Sequence, residues 1–320
     1  MPTDTEPQIS TPPTRWRRLS PAAWAGIAVT GVAALYIAYW TLAANRIDEA
    51  IRTWAAAQAE RGLEVSFEGL DVDGFPLWLR ANVAAPAVAG QRDDSAWRWQ
   101  TLRLTLTARP WNLSRVMFDL SGHHELSLDW GNDQQMEFGA TASRLSGAVE
   151  RGGADGVFAS FSVEAVGVTL PKSTDQPFGN HITAAGLWAR IMEPVPAAPW
   201  PEALTGWRDG GGTLEIGRLY ADYGPLKLDL DGTVALDADL QPEGAATARV
   251  TGAGEALTAL RERGVIRPAD AVTARLVLMA LKKVPGAGGR QAVQLPVTLQ
   301  DRILYAGPAA LASLPQLRWK

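Results

Sequence analysis

Only three histidines, His123, His124 and His181, and no cysteine occur in this chain of 320 residues. It can therefore hold no disulfide, thiolate metal site or thiol nucleophile. His123 and His124 are adjacent, so on a strand they point to opposite faces and cannot share one ion without a bulge. His181 stands alone in a stretch flanked by proline and glycine. Asp229-Leu230-Asp231-Gly232 superficially looks like part of a calcium loop. Such a loop needs oxygen ligands at alternating positions before the Gly and a Glu six residues after it. Lys227 replaces one of those ligands and Ala238 stands where the Glu belongs. A wet strand face ending in a hairpin turn accounts for these carboxylates. No Gly-x-Ser-x-Gly elbow is present. Gly210-Gly211-Gly212 leads into a strand pattern and no helix, so it is not a phosphate loop. We expect no catalysis, no metal and no cofactor.

What remains is apolar chemistry. Leu226, Leu228 and Leu230 alternate with Lys227, Asp229 and Asp231, and after Gly232 the pattern resumes at Val234 and Leu236. Leu102, Leu104 and Leu106 alternate with Arg103 and Thr105, and Phe161 and Val163 fall in a further alternating run. Period two means one apolar face and one wet face, as in an antiparallel sheet covered on one side. These ten residues are expected to face inward. Such a face must be covered by helices, by a second sheet or by curling on itself. It is then either a closed core or an apolar groove whose natural occupant is an acyl chain.

The elements that position this face follow from periodicity. From Leu63 the period is two: Val65, Phe67, Leu70 and Val72 lead to the turn Gly74-Phe75-Pro76 and a return strand from Leu77 to Val83. Alternating runs continue at 97–106, 116–120, 125–130, 135–140, 147–150 and 157–170. Residues 171–201 are proline-rich, include a short helix or strand at Ile182–Ile191, and divide the domain into possible halves, 46–170 and 202–320. Glu255 to Arg263 reads as a helix ended by Gly264, and Ala269 to Leu281 as a helix or strand. Period two returns from Val293 to Leu299, and Ile303 to Tyr305 adds one more strand.

All of this follows a run from Leu19 to Asn45 without one charged side chain. Pro21 to Leu42 as a helix is about 33 Å long, enough to cross a hydrocarbon core of about 30 Å. A cleaved secretory signal would have an apolar region of only about 7–15 residues. Arg15, Arg17 and Arg18 precede the run and favour the N-terminus inside. Trp24 sits near one end and Tyr36, Tyr39 and Trp40 near the other, in the manner of an aromatic belt. Ile47, Ile51 and Trp54 form one face of a second helix, which Gly62 stops. Residues 1–18, with four prolines, read as a disordered cytoplasmic tail, 19–45 as the anchor and 46–320 as a periplasmic β-rich domain. The chain carries a net charge of −4, and residues 46–320 carry −5. That is no electrostatic footprint for nucleic acid.

The order of these features resembles a known pattern. An anchor is followed by a short helix, a strand, Gly74-Phe75-Pro76 and a return strand, then Trp97-Arg98-Trp99 and Arg109-Pro110-Trp111. A repetitive sheet around Gly224-Pro225 and Leu236-Asp237 and a tail from Ala306-Gly307-Pro308 to Leu314-Pro315 close it. Together these resemble an uncharacterised bacterial envelope domain-of-unknown-function family with one N-terminal anchor. In style they are also similar to the AsmA-like proteins, whose strands build a long curled sheet with a greasy groove. The resemblance covers residues 46–315 and implies an envelope location and lipid handling. The expected fold is mainly β (α+β): a transmembrane helix, then a long, curled, mostly antiparallel sheet in two halves with a few short helices. The expected setting is the bacterial inner membrane, with phospholipid, another lipid or another envelope protein as partner. The expected role is non-catalytic lipid handling, with a membrane-tethered scaffold or an envelope enzyme as alternatives.

Overall fold

The computed structural model describes residues 20–317 and 319, apart from 61, 93–94, 130–134, 154–155, 172–175, 268–271, 273–274, 277, 280, 287–288 and 308. The proposed tail with Arg15, Arg17 and Arg18, and most of Ala269–Leu281, lie outside the described residues. Helix α1 runs from Pro21 to Ala59, 39 residues without a break. The Ser20 hydroxyl accepts from the Ala23 amide at 3.2 Å, and Pro21 occupies the first turn, where its missing N–H leaves no bond unmade. No Gly or Pro lies between Val32 and Arg61. Nothing therefore interrupts the helix at Asn45. The anchor and the following amphipathic segment, expected as separate elements, are one rod of about 58 Å.

After α1 the chain forms an antiparallel meander in which neighbours in sequence are neighbours in the sheet. β1 (Leu63–Ser66) and β2 (Gly69–Asp73) make a bent edge strand. They pair with β4 (Ala87–Arg92) and β3 (Leu79–Ala84) respectively. β5 (Ser95–Thr101) continues into β6 (Arg103–Arg109), and β7 (Asn112–Asp119) into β8 (Gly122–Asp129). β9 (Gln135–Arg151) accepts both β8 and β7 along one edge. Then follow β10 (Val157–Thr169), β11 (His181–Met192), β12 (Thr213–Tyr223), β13 (Leu226–Leu236) and β14 (Pro242–Thr251). β16 (Gln291–Gln300) pairs β14 on one side and β15 (Lys282–Pro285) and β17 (Ile303–Ala306) on the other, and β18 (Ala309–Ser313) ends the sheet. The segment left open between helix and strand is thus β11, bonded to both β10 and β12. It places residues 46–170 and 202–320 in one sheet.

A bend crosses the first strands where each is split. Ala85, at φ 47°, donates to Leu102 O, and Thr101 donates to Pro86 O. Around this point the less exposed side chains change phase, from Trp97, Trp99 and Thr101 to Leu104, Leu106 and Ala108. One extra residue in the alternation keeps the same face inward on both sides of a bend.

Only part of this face is covered. α1 touches β1, β2 and β3, and there Leu79, Ala81 and Val83 are 2, 2 and 3% exposed. The short helix α2 (Glu202–Asp209) is pinned by Trp207, whose Nε1 donates to Met192 O at 2.8 Å. Helix α3 (Ala253–Glu262) lies beside β13. No second sheet stacks on the first among the described residues.

Candidate functional site

The registers align the apolar residues into rows that run across the strands. Val72 stands opposite Ala81, Ala81 opposite Leu106, and Leu106 opposite Phe118. The line continues through Gly147, Val163, Leu187 and Leu219 to Leu230, Ala248 and Leu295. A second row runs from Leu79 and Ala108 through Val116, Val149 and Phe161 to Ala189, Ile216 and Val297. A third joins Leu145, Ala165, Ala185, Ala221, Leu228, Val250 and Val293. The first row crosses ten strand gaps, about 48 Å at 4.8 Å each, and three rows span about 14 Å along the strands. Beyond β3 the large side chains of the first row are only half-buried, and Val149 is 46% exposed. Gly147 is small for a reason: a Cβ there would collide with the Ser162 carbonyl and with the Phe118 ring.

Leu104, Leu106, Phe161, Val163, Leu226, Leu228, Leu230, Val234 and Leu236 are all half-buried, and those on one strand share a face. Leu102 departs from the expectation. It sits in the bend between β5 and β6, where the alternation changes phase, and is 71% exposed. Leu187, Leu219, Ala248 and Leu295 complete the first row; only β pairing reveals that they belong with Val163 and Leu230.

The opposite face is polar and internally paired. Arg218 Nε donates to Asp229 Oδ2 at 2.6 Å, and Arg249 Nη1 lies 3.2 Å from Asp229 and 2.8 Å from Asp231. Arg218 also lies 4.8 Å from the Tyr220 ring, which stacks on Trp188 at 5.7 Å. The carboxylates of the imagined calcium loop are thus engaged by guanidinium groups. The Tyr220 hydroxyl donates to Glu164 Oε1 at 3.1 Å, and burial together with that carboxylate pushes its pKa up.

His123 and His124 do lie on opposite faces. His123 is exposed, with Nδ1 3.2 Å from Thr141 Oγ1 and Nε2 3.3 Å from Glu125 Oε1. His124 turns to the apolar side, stacks on Trp99 at 6.1 Å, and its buried Nε2 has no hydrogen-bond partner. Burial holds its pKa below the ordinary histidine value. Among the described residues no three His, Asp or Glu side chains gather to hold a metal.

The turn Gly74-Phe75-Pro76 meets Tyr36 and Trp40 of the expected belt, and Tyr39 reaches the β6–β7 turn. Gly74, at φ 101°, opens a turn in which a Cβ would lie 2.9 Å from Trp78 O. That carbonyl accepts from Trp40 Nε1 at 2.9 Å. The Tyr36 hydroxyl donates to Pro76 O, and the Tyr39 hydroxyl donates to Pro110 O at 2.6 Å. The Phe75 ring meets Trp40 edge-on at 5.5 Å. Trp24, at the other end of the apolar stretch, is 61% exposed. At the far end of α1 a cleft of about 600 Å³ is lined by Ala59, Leu63, Gly90, Trp97 and Leu128 among others.

No curated protein and no solved structure matches the chain. Two overlapping stretches, residues 40–173 and 139–315, match one bacterial family and together take in the end of α1 and the whole meander. The chain therefore belongs to the family described as "Uncharacterized protein conserved in bacteria (DUF2125)".

Proposed function

We propose that this is a single-pass protein of the bacterial inner membrane, N-terminus in the cytoplasm and sheet in the periplasm. It holds the acyl chains of phospholipid or another lipid on its apolar face, without catalysis. The observation that carries the reading is the set of apolar rows aligned across the strands, over most of which no second layer lies among the described residues. A protein in water does not leave so large an apolar surface open without an occupant. Burying a CH₂ completely is worth about 0.8 kcal/mol, and contact with one wall is worth roughly half of that, so a long acyl chain gains several kcal/mol. The trough is longer than one such chain. α1, with its apolar stretch from Pro21 to Leu42, is long and apolar enough to cross a bilayer and would keep the face beside its lipid source.

The test is photo-crosslinking of the full chain in phospholipid nanodiscs, using a phospholipid with a photoreactive group on its acyl chain. Adducts on peptides carrying Val163, Leu187 or Leu230 are the expected result. Adducts confined to α1 and the neighbouring turns would overturn the reading and leave the face to another envelope protein.

A further inference from the structure

The two hairpin tips that grip α1 are apolar on their outer side. Around the β2–β3 turn, Phe75 and Leu77 are 51% and 56% exposed. Around the β6–β7 turn, Trp111 and Leu113 are 61% and 50% exposed. These tips are fastened to Tyr36, Tyr39 and Trp40 through Pro76, Pro110 and Trp78 carbonyls, so their height along the helix is known. Pro21 to Trp40 spans about 30 Å, the thickness of a hydrocarbon core. The first charge of the helix, Arg46, comes about 9 Å beyond Trp40. The tips are thus level with the boundary where hydrocarbon gives way to headgroups. That layer favours large amphipathic and aromatic side chains, and it is where Tyr36, Tyr39 and Trp40 themselves belong. Arg109 stands at the β6–β7 turn with its guanidinium 5.3 Å from the Trp78 ring, an exposed cation beside the tips.

We propose that these two tips are inserted into the interfacial layer of the leaflet through which α1 leaves the membrane. The occupant of the exposed Phe75, Leu77, Trp111 and Leu113 is then the glycerol and upper acyl region of phospholipid. With the helix, the tips make three attachment points, which fix the tilt of the first strands and set the start of the apolar rows next to the bilayer. The proposal is limited to the tips bound to α1. Trp200 and Trp319 lie at the same end of the meander and are 52% and 36% exposed.

This inference rests on the reading of α1 as a membrane span, and the experiment separates the two. Because the chain has no cysteine, single variants L77C, L113C, V32C and E125C can each carry one environment-sensitive label on the full chain in nanodiscs of phosphatidylcholine and phosphatidylglycerol. Val32 reports the span, and Glu125, far up the β7–β8 strand, reports bulk water. Phospholipids brominated near the glycerol should quench labels at positions 77 and 113 several-fold more than at 125. Labels at 77 and 113 as open to aqueous iodide as that at 125, with position 32 shielded, would overturn the insertion and leave the span standing. An accessible position 32 would overturn both. The four sites are exposed, and an unchanged far-ultraviolet spectrum checks that each variant folds.

Discussion

Substituting Val83 and Val163 by tryptophan separates an open face from a filled core. Val163 sits at the middle of β10 and Val83 near the end of β3, and their side chains belong to the same apolar face. Val83 is 3% exposed beneath α1, whereas Val163 is half-buried opposite Gly147 and Leu187. An indole at position 83 must displace helix or sheet, and overpacking of that kind costs about 1–3 kcal/mol and sometimes more. On an open face the ring at position 163 extends outward, so the cost should stay within about 0.5 kcal/mol, as for a surface change. The expected gap of about 2 kcal/mol is roughly a 30-fold difference in the folding equilibrium. Urea unfolding of the full chain in detergent, followed by strand circular dichroism, reads it. With a slope of about 2 kcal/mol per molar urea, V83W should unfold about 1 M earlier than V163W. V163W should also lower crosslinking to the photoreactive phospholipid, because the indole fills the site. A V163W protein as destabilised as V83W would refute the open face and mark it as a closed core.

Three further outcomes are expected. The G74A variant must force a left-handed turn and crowd Trp78 O, costing about 1–3 kcal/mol in urea unfolding. W40F removes the donor to that same carbonyl and should cost about 1 kcal/mol, and with G74A the two losses should add to less than their sum because they share one contact. His124 is held neutral in the fold, its pKa depressed below 6.5 chiefly by burial. The unfolded chain therefore binds the proton more tightly, so this stabilisation is present above about pH 6.5 and is lost as pH falls toward the depressed value. Melting temperatures of H124F should fall less between pH 7.5 and pH 5 than those of the natural chain; equal falls would exclude His124 as a source of the acid sensitivity.

Much of the architecture is legible in the residues themselves. Alternation at Leu226–Leu236 and Val293–Leu299 marks strands because a pleated backbone turns each successive side chain to the other face. The uncharged stretch from Leu19 to Asn45 marks a helix long enough for a bilayer by rise per residue alone. The continuity of α1 was also written in the chain, since no Gly or Pro separates Val32 from Arg61, but the change from apolar to amphipathic composition suggests a joint that the backbone does not make. The identity of Ile182–Ile191 as β11 was open because a short apolar run between prolines suits helix or strand equally well.

What the sequence by itself determined was which residues share a face within an uninterrupted strand, where most of the chain turns, and that no thiol chemistry is available. Only the tertiary structure decided which strand lies beside which, and therefore that Val72, Leu106, Val163, Leu230 and Leu295 form one row. Register is a relation between distant segments, and period two is satisfied by any even shift. The bend that exposes Leu102 arises the same way, from an extra residue in the alternation set by pairing with Ala85. Likewise, that α1 covers β1–β3 and leaves the later strands open depends on where the Tyr36, Tyr39 and Trp40 side chains find carbonyl acceptors, at Pro76, Pro110 and Trp78. Those partners are 38 to 71 residues away in sequence, and local pattern carries no trace of them.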